Sequence, residues 1–208
     1  MSLCDDASPE GLWQHSLISF REAVAHEPMP GCGAAAVVSA DLGLALVLKG
    51  LHLSQRHEHD AARVPLIETG EDLKRRLAPL ADEDVAAYEA FMAALNMPHE
   101  DAWEQRARKS AIQHAASDAV NVPLRTAGLC QAALTLCEHA GQYIERQFNS
   151  DTVAGARLLH AALHGVLLNV EANLGALGSD AERDQARLAH DTLRHDADAL
   201  LARIVCPA

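Results

Sequence analysis

Aromatic residues are scarce, at 3% of the 208 residues, while nearly half the chain is apolar. The apolar mass is Ala and Leu with Val behind, a composition that favours closely packed helices. Basic residues are also few. Seventeen Lys and Arg stand against twenty-nine Asp and Glu, a formal net charge of −12. That balance argues against a phosphate-backbone partner and against an anionic membrane surface, both of which call for a basic face. There is no C-x-x-C, and the five cysteines (Cys4, Cys32, Cys130, Cys137, Cys206) are scattered and odd in number. This is the pattern of reduced, mostly core thiols in a cytoplasmic protein, not of a disulfide framework. No charged-then-apolar segment opens the chain. The longest apolar stretch, Ala34 to Leu53, is interrupted by Asp41, Lys49 and His52, which argues against a membrane span. Alternating β-branched runs and Asn-Gly turns are missing too, so strands are not expected.

What is present is helical periodicity. The pattern predicts a first helix over Ser8–His26 with Ser8-Pro9 at its start, and a second over Gly33–Gln55. A third stretch, Val64–Leu95, carries Pro79, and a fourth, Asp101–Ala140, carries Pro123; a kink or division is expected at each proline. A fifth helix is predicted over Ser150–Leu177, and a sixth from Gly178-Ser179-Asp180 to Ile204. No repeat or long linker divides the chain, so the expected architecture is one all-α bundle of about six helices over residues 1–208.

Within it, Gly31-Cys32-Gly33 opens a helix with small residues on every side, such as Ala34, Ala36, Ala40 and Gly43. Such a helix should be central or lie at a subunit interface. The turn is either a tight lead into a buried helix or a place where backbone N–H groups meet a ligand. Asp84 shares a helix face with Tyr88, Phe91 and Leu95, whereas Asp82 lies about 200° away. A carboxylate on an apolar face is either paired at a boundary or held with a raised pKa, as a general acid or base requires. Ser150 and Asp151 suit a helix N-cap. Asn169 and Asn173, at i and i+4, share one face, where they serve interhelical bonds or recognition of a heterocycle.

Twelve histidines raise a metal reading. His160 and His164 have helical i, i+4 spacing, but the sequence suggests no third ligand, so no metal is expected. Arg56, His57, His59 and Arg63 form the best basic cluster, and Arg106, Arg108 and Lys109 form another; either could hold carboxylates.

Five ordered segments resemble one family. "PMPGCGAAAVVSADLGLALV" is similar to its P-x-P-G-G-G-S-V-A-A-L opening. "LADEDVAAYEAFMAALNMP", "AVNVPL", "NSDTVAGARLL" and "GVLLNVEANL" resemble later segments in the same order. The family is that of the cyclodeaminases and methenyltetrahydrofolate cyclohydrolases. The resemblance implies an all-α homodimer acting on a tetrahydrofolate derivative, with no tightly bound cofactor and no metal. It implies Asp84 as catalytic acid or base with Asp82 second, and Gly31, Cys32 and Gly33 against the ligand. It implies Ser150 and Asp151 near the folate, Asn169 and Asn173 on the pteridine, and Arg56 on the tail. The reactions implied are closure of 5-formiminotetrahydrofolate to 5,10-methenyltetrahydrofolate with loss of ammonia, or hydrolysis of the methenyl compound to 10-formyltetrahydrofolate. Cys32 replaces the pattern's middle glycine and Ala34 its serine; Gly141 lies farther before Asp151 than the usual gap, and His52, His57 and His59 differ from the usual polar-basic loop. Those departures keep open a relative that binds a folate-like molecule without the chemistry; a helical dimeric interaction module is the third reading.

Overall fold

The computed structural model describes residues 11–206. Among them are seven α-helices, a few short 3-10 turns and no strand. The helices are α1 (Leu17–His26), α2 (Cys32–His57), α3 (Arg63–Leu77), α4 (Leu80–Leu95), α5 (Ala102–Ala140), α6 (Asn149–Asn173) and α7 (Asp180–Val205). Pro79 divides the predicted third stretch into α3 and α4, because proline lacks the N–H that would continue the ladder. Asp101 and Ser179 cap α5 and α7, each in a capping box completed by Glu104 and Glu182. The cap of α1 is Ser16, whose hydroxyl accepts from the Ser19 N–H, and α1 therefore starts later than predicted. The predicted cap at Ser8 lies outside the described residues.

Pro123 leaves α5 unbroken. It does remove the helical donor that the Ala119 carbonyl would have used. That carbonyl instead accepts from Asn173 Nδ2 of α6 at 3.3 Å, and the Thr126 hydroxyl donates to Val122 O one turn on.

α2 is the central helix and packs on α3, α4, α5 and, most extensively, α6. α2 and α6 run antiparallel and touch backbone to backbone. A Cβ built on Gly155 would stand 2.4 Å from the Gly43 carbonyl oxygen, and one on Gly43 would stand 2.8 Å from that of Gly155. Only glycine at both positions permits this approach. Leu44, Val47, Leu51, Leu134, Leu159, Leu163 and Val166 fill the space around it. By length and composition α2 and the segment 146–176 could each cross a membrane, so the polar interruptions do not by themselves exclude it. Both helices carry many buried residues of this bundle core.

Candidate functional site

The antiparallel pairing brings the N-terminus of α2 beside the C-terminal turns of α6, and α4 packs against the same end. Here lies a cavity of about 280 Å³ lined by Pro28, Met29, Gly31, Cys32, Asp84, Ala87, Tyr88, Phe91, Ala119, Asn169 and Asn173. The chain enters it through a cis Met29–Pro30 bond. Two of only seven aromatic residues, Tyr88 and Phe91, form part of its wall. They are one and two helical turns from Asp84, on the face that the sequence assigned to it.

Asp84 sits over the first turn of α2. Gly31, the N-cap, offers no side chain to that turn. Asp84 Oδ2 accepts the Ala34 N–H at 3.0 Å instead, as a cap supplied from another helix. Its Oδ1 has a long contact, 3.5 Å, with Asn169 Nδ2. A Cβ on Gly33 would fall 2.0 Å from Oδ1, so glycine is required for the carboxylate to reach this place. The sequence allowed a ligand to approach the turn backbone; at Gly33 and Ala34 the approaching group is the protein's own Asp84. Burial pushes the Asp84 carboxyl above the ordinary carboxylate range, and the Ala34 N–H and the Asn169 amide oppose that push.

Cys32 departs from the resemblance without backbone strain, since no described residue has positive φ. Its thiol donates to Asn169 Oδ1 at 2.8 Å. That bond leaves the Asn169 Nδ2 turned toward Asp84, giving a chain Cys32–Asn169–Asp84. Asn173 Nδ2 is engaged by two carbonyls, Asn169 O at 2.8 Å and Ala119 O at 3.3 Å. The interhelical reading of the asparagine pair therefore holds for the nitrogen of Asn173, while both residues also line the cavity.

The other predicted residues fall elsewhere. Asp82 Oδ1 accepts the Leu12 N–H at 2.8 Å, and its carboxylate ties down the N-terminal segment outside the cavity lining. Arg56 is twenty-three residues along α2 from Gly33, about 35 Å at 1.5 Å per residue. It borders a groove with Lys49, His52, Glu71 and Lys74. Asp151 joins that end through a 2.7 Å ion pair to Lys49. Neither Ser150 nor Asp151 is the N-cap of α6, which is Phe148; both lie in the first turn. Within one chain, Arg56, Ser150 and Asp151 are thus at the opposite end of the α2–α6 pair from Asp84.

The predicted basic cluster disperses. Arg63 is buried and donates to the Ser54, Glu58 and Tyr143 carbonyls, closing the C-terminus of α2. His57 faces Glu145 at 2.9 Å. Arg108 holds the Leu95 carbonyl at the end of α4.

Two features escaped the sequence. Asp41 Oδ1, midway along α2, is buried with no hydrogen-bond partner among the described residues. Desolvation raises its pKa; Lys74 lowers it and Glu71 raises it further. Second, the His160–His164 pair does have a third neighbour, Asp198 on α7. It lies thirty-four residues or more along the chain from either histidine, so no local spacing could reveal it.

A family model described as formiminotransferase-cyclodeaminase matches residues 16–191. Methenyltetrahydrofolate cyclohydrolase of Methylorubrum extorquens is 30% identical over 181 residues, covering 85% of this chain and 87% of that protein. Formimidoyltransferase-cyclodeaminase of Sus scrofa is 29% identical over 209 residues, covering 98% of this chain but 39% of that protein. In fold, the chain is similar to the crystal structure of formiminotetrahydrofolate cyclodeaminase from Thermotoga maritima, with a TM-score of 0.79 and 22% identity, covering 92% of this chain and 94% of that one. On the match across residues 16–191, the chain belongs to the formiminotransferase-cyclodeaminase family.

Proposed function

We propose that this chain is a cytoplasmic tetrahydrofolate one-carbon enzyme, with Asp84 shuttling the proton at the carbon that bridges N5 and N10. The observation that carries this reading is the half-buried Asp84 carboxyl, raised by burial and standing in an apolar cavity beside two asparagines. A mostly apolar cavity with a few convergent polar groups suits a small organic ligand. At about 280 Å³ it is near the lower bound of such sites, about 300 Å³, so it takes the ring system and leaves the tail outside. The names of the relatives favour the same substrate class.

In the hydrolytic direction, ionised Asp84 takes a proton from water as the water oxygen bonds to the methenyl carbon. The tetrahedral carbinol then releases N5 as Asp84 returns the proton to that nitrogen, and the carbinol hydroxyl gives its own proton to water as the formyl C=O forms, leaving the 10-formyl compound. In the cyclodeaminase direction, N10 attacks the formimino carbon, Asp84 carries the N10 proton to the departing nitrogen, and ammonia leaves. One carboxyl with a raised pKa serves either sequence, since both alternate acceptance and donation of one proton. Asp84 Oδ2 is committed to Ala34, so Oδ1 does this work. Asn169, oriented by the Cys32 thiol, steadies it, and Asn173 offers its carbonyl oxygen to a ring N–H. Tyr88 and Phe91 face the flat ring.

A homodimer is part of this proposal. Leu42 and Leu158 flank the α2–α6 crossing and are 50% and 38% exposed, leaving apolar side chains for a second copy to cover.

The test follows methenyltetrahydrofolate absorbance with each substrate in turn. Consumption of the methenyl compound supports the hydrolase and its appearance from the formimino compound the cyclodeaminase. If neither occurs, the enzyme reading fails. The second reading, a folate-like binder without chemistry, rests on Cys32 and Ala34. It predicts a folate-induced rise in melting temperature with no turnover.

A further inference from the structure

A second site lies on the other side of α6. At about 100° per residue, His160 is about 180° around the helix from Asn169, and His164 is about 180° from Asn173. The histidines therefore face α7, away from the folate cavity. Across the seam, Asp198 Oδ1 stands 2.7 Å from His160 Nε2 and 3.0 Å from His164 Nε2, and the two Nε2 atoms are 3.1 Å apart.

This triangle has the dimensions of a coordination face. Bonds of about 2.0–2.1 Å to zinc place neighbouring ligands about 3.3 Å apart around a tetrahedral ion and about 2.9 Å apart around an octahedral one. The three edges, 2.7, 3.0 and 3.1 Å, lie around the octahedral spacing and fall short of the tetrahedral one. A cation could sit just above the plane of the three atoms without movement of either helix. An ordinary ion pair explains the arrangement less well. One imidazolium satisfies one carboxylate oxygen, whereas here a second ring nitrogen points at both the same oxygen and the first nitrogen. Two protonated Nε2 atoms at 3.1 Å would set donor against donor. A divalent cation accepts all three lone pairs at once. Two imidazoles and one carboxylate select a transition metal over magnesium or calcium, which take oxygen donors. The histidine side chains are 21% and 35% exposed and that of Asp198 57%, so the protein shelters one side and solvent reaches the other.

We propose that His160, His164 and Asp198 bind one divalent transition-metal ion of the zinc type, with water completing its shell, and that the ion staples α7 to α6. α7 has a use for such a staple. Only Ala186, His190, Ala197 and Leu200 are buried along its twenty-six residues; Leu193, Leu201 and Ile204 pack partly buried against the core, and polar contacts such as His190–Glu171 and Gln131–Asp196 add to them. The inference stands independently of the folate reading.

The experiment uses the full chain, stripped with chelator and then equilibrated with zinc, and with cobalt as the spectroscopic stand-in. The expected result is one equivalent of metal per chain at micromolar free metal. Visible bands of nitrogen- and oxygen-coordinated cobalt should appear and be displaced by zinc, and a rise in melting temperature should be reversed by chelator. Asp198→Asn and His164→Gln should each weaken binding at least about tenfold and abolish the thermal gain, while His57→Ala binds as the wild type does. Asp198 is exposed, so its variant is expected to keep the helical signal of the parent; if it does not, His160→Gln takes its place. The proposal is overturned if the wild type takes up no stoichiometric metal, or if the ligand variants bind it as well as the wild type does.

Discussion

Asp84 fills the space that a side chain on Gly33 would occupy: an ideal Cβ there lies 2.0 Å from Oδ1 and 2.6 Å from Oδ2. The glycine-rich turn and the buried acid, fifty-one residues apart, are therefore two halves of one feature. The turn is bare so that the carboxylate can cap α2 and still border the cavity.

Gly33→Ala tests that relationship. The added methyl group must displace the carboxylate, which breaks its bond to the Ala34 N–H. The variant is expected to lose about 1–3 kcal/mol of stability, the usual range for overpacking, measured by denaturant unfolding. Turnover should fall with it even at temperatures where the variant remains folded.

Asp41 predicts a pH dependence of stability. Its pKa is raised in the folded protein, chiefly by desolvation, so the folded state binds the proton more tightly than the unfolded chain does. Stability from this group therefore falls as pH rises from the ordinary carboxylate value through the folded pKa, and the loss persists at neutral pH. Asp41→Asn removes the ionisation. Its melting temperature should exceed that of the wild type at pH 7, and the two should converge once acid has protonated Asp41 in the wild type. Thermal melts across that range read the difference directly. Asp84→Asn shares the sign, less the value of the charged cap at Ala34.

Asn173 and Pro123 form a second predicted pair. The proline deprives the Ala119 carbonyl of its helical donor, and the Asn173 amide supplies one from α6. Asn173→Ala should cost about 0.5–1.5 kcal/mol in the wild type, the usual net value of a hydrogen bond, here to a part-buried acceptor. In a Pro123→Ala background the restored N–H can take that carbonyl, and the cost of Asn173→Ala should shrink. A double-mutant cycle by chemical denaturation measures the coupling; equal costs in both backgrounds would remove the link.

Much of the bundle was legible because its signals are local. Period, proline and caps placed the later helices to within a few residues, and the face shared by Asp84, Tyr88 and Phe91 follows from about 100° per residue. Residues brought together by packing were not legible. Nothing near His160 announces Asp198. The predicted second helix already separates Arg56 from Gly33, but that Asp84 packs at the Gly33 end of it was not legible. Helix period alone sets Asp82 about 200° from Asp84, but its partner, the Leu12 N–H, lies seventy residues away and no local signal reveals it. That Asn173 supplies the donor missing at Pro123 was not legible either, because it belongs to another helix.

The most direct test of the central claim is turnover of methenyltetrahydrofolate, in the direction the wild type supports, by Asp84→Asn. The substitution keeps size and an acceptor for Ala34 but cannot shuttle a proton. The expected result is a fall in kcat of about 10²–10⁴-fold, with the folate-induced rise in melting temperature retained. Turnover within about twofold of the wild type, far short of any general acid–base contribution, would contradict the role of Asp84 and with it the proposed mechanism.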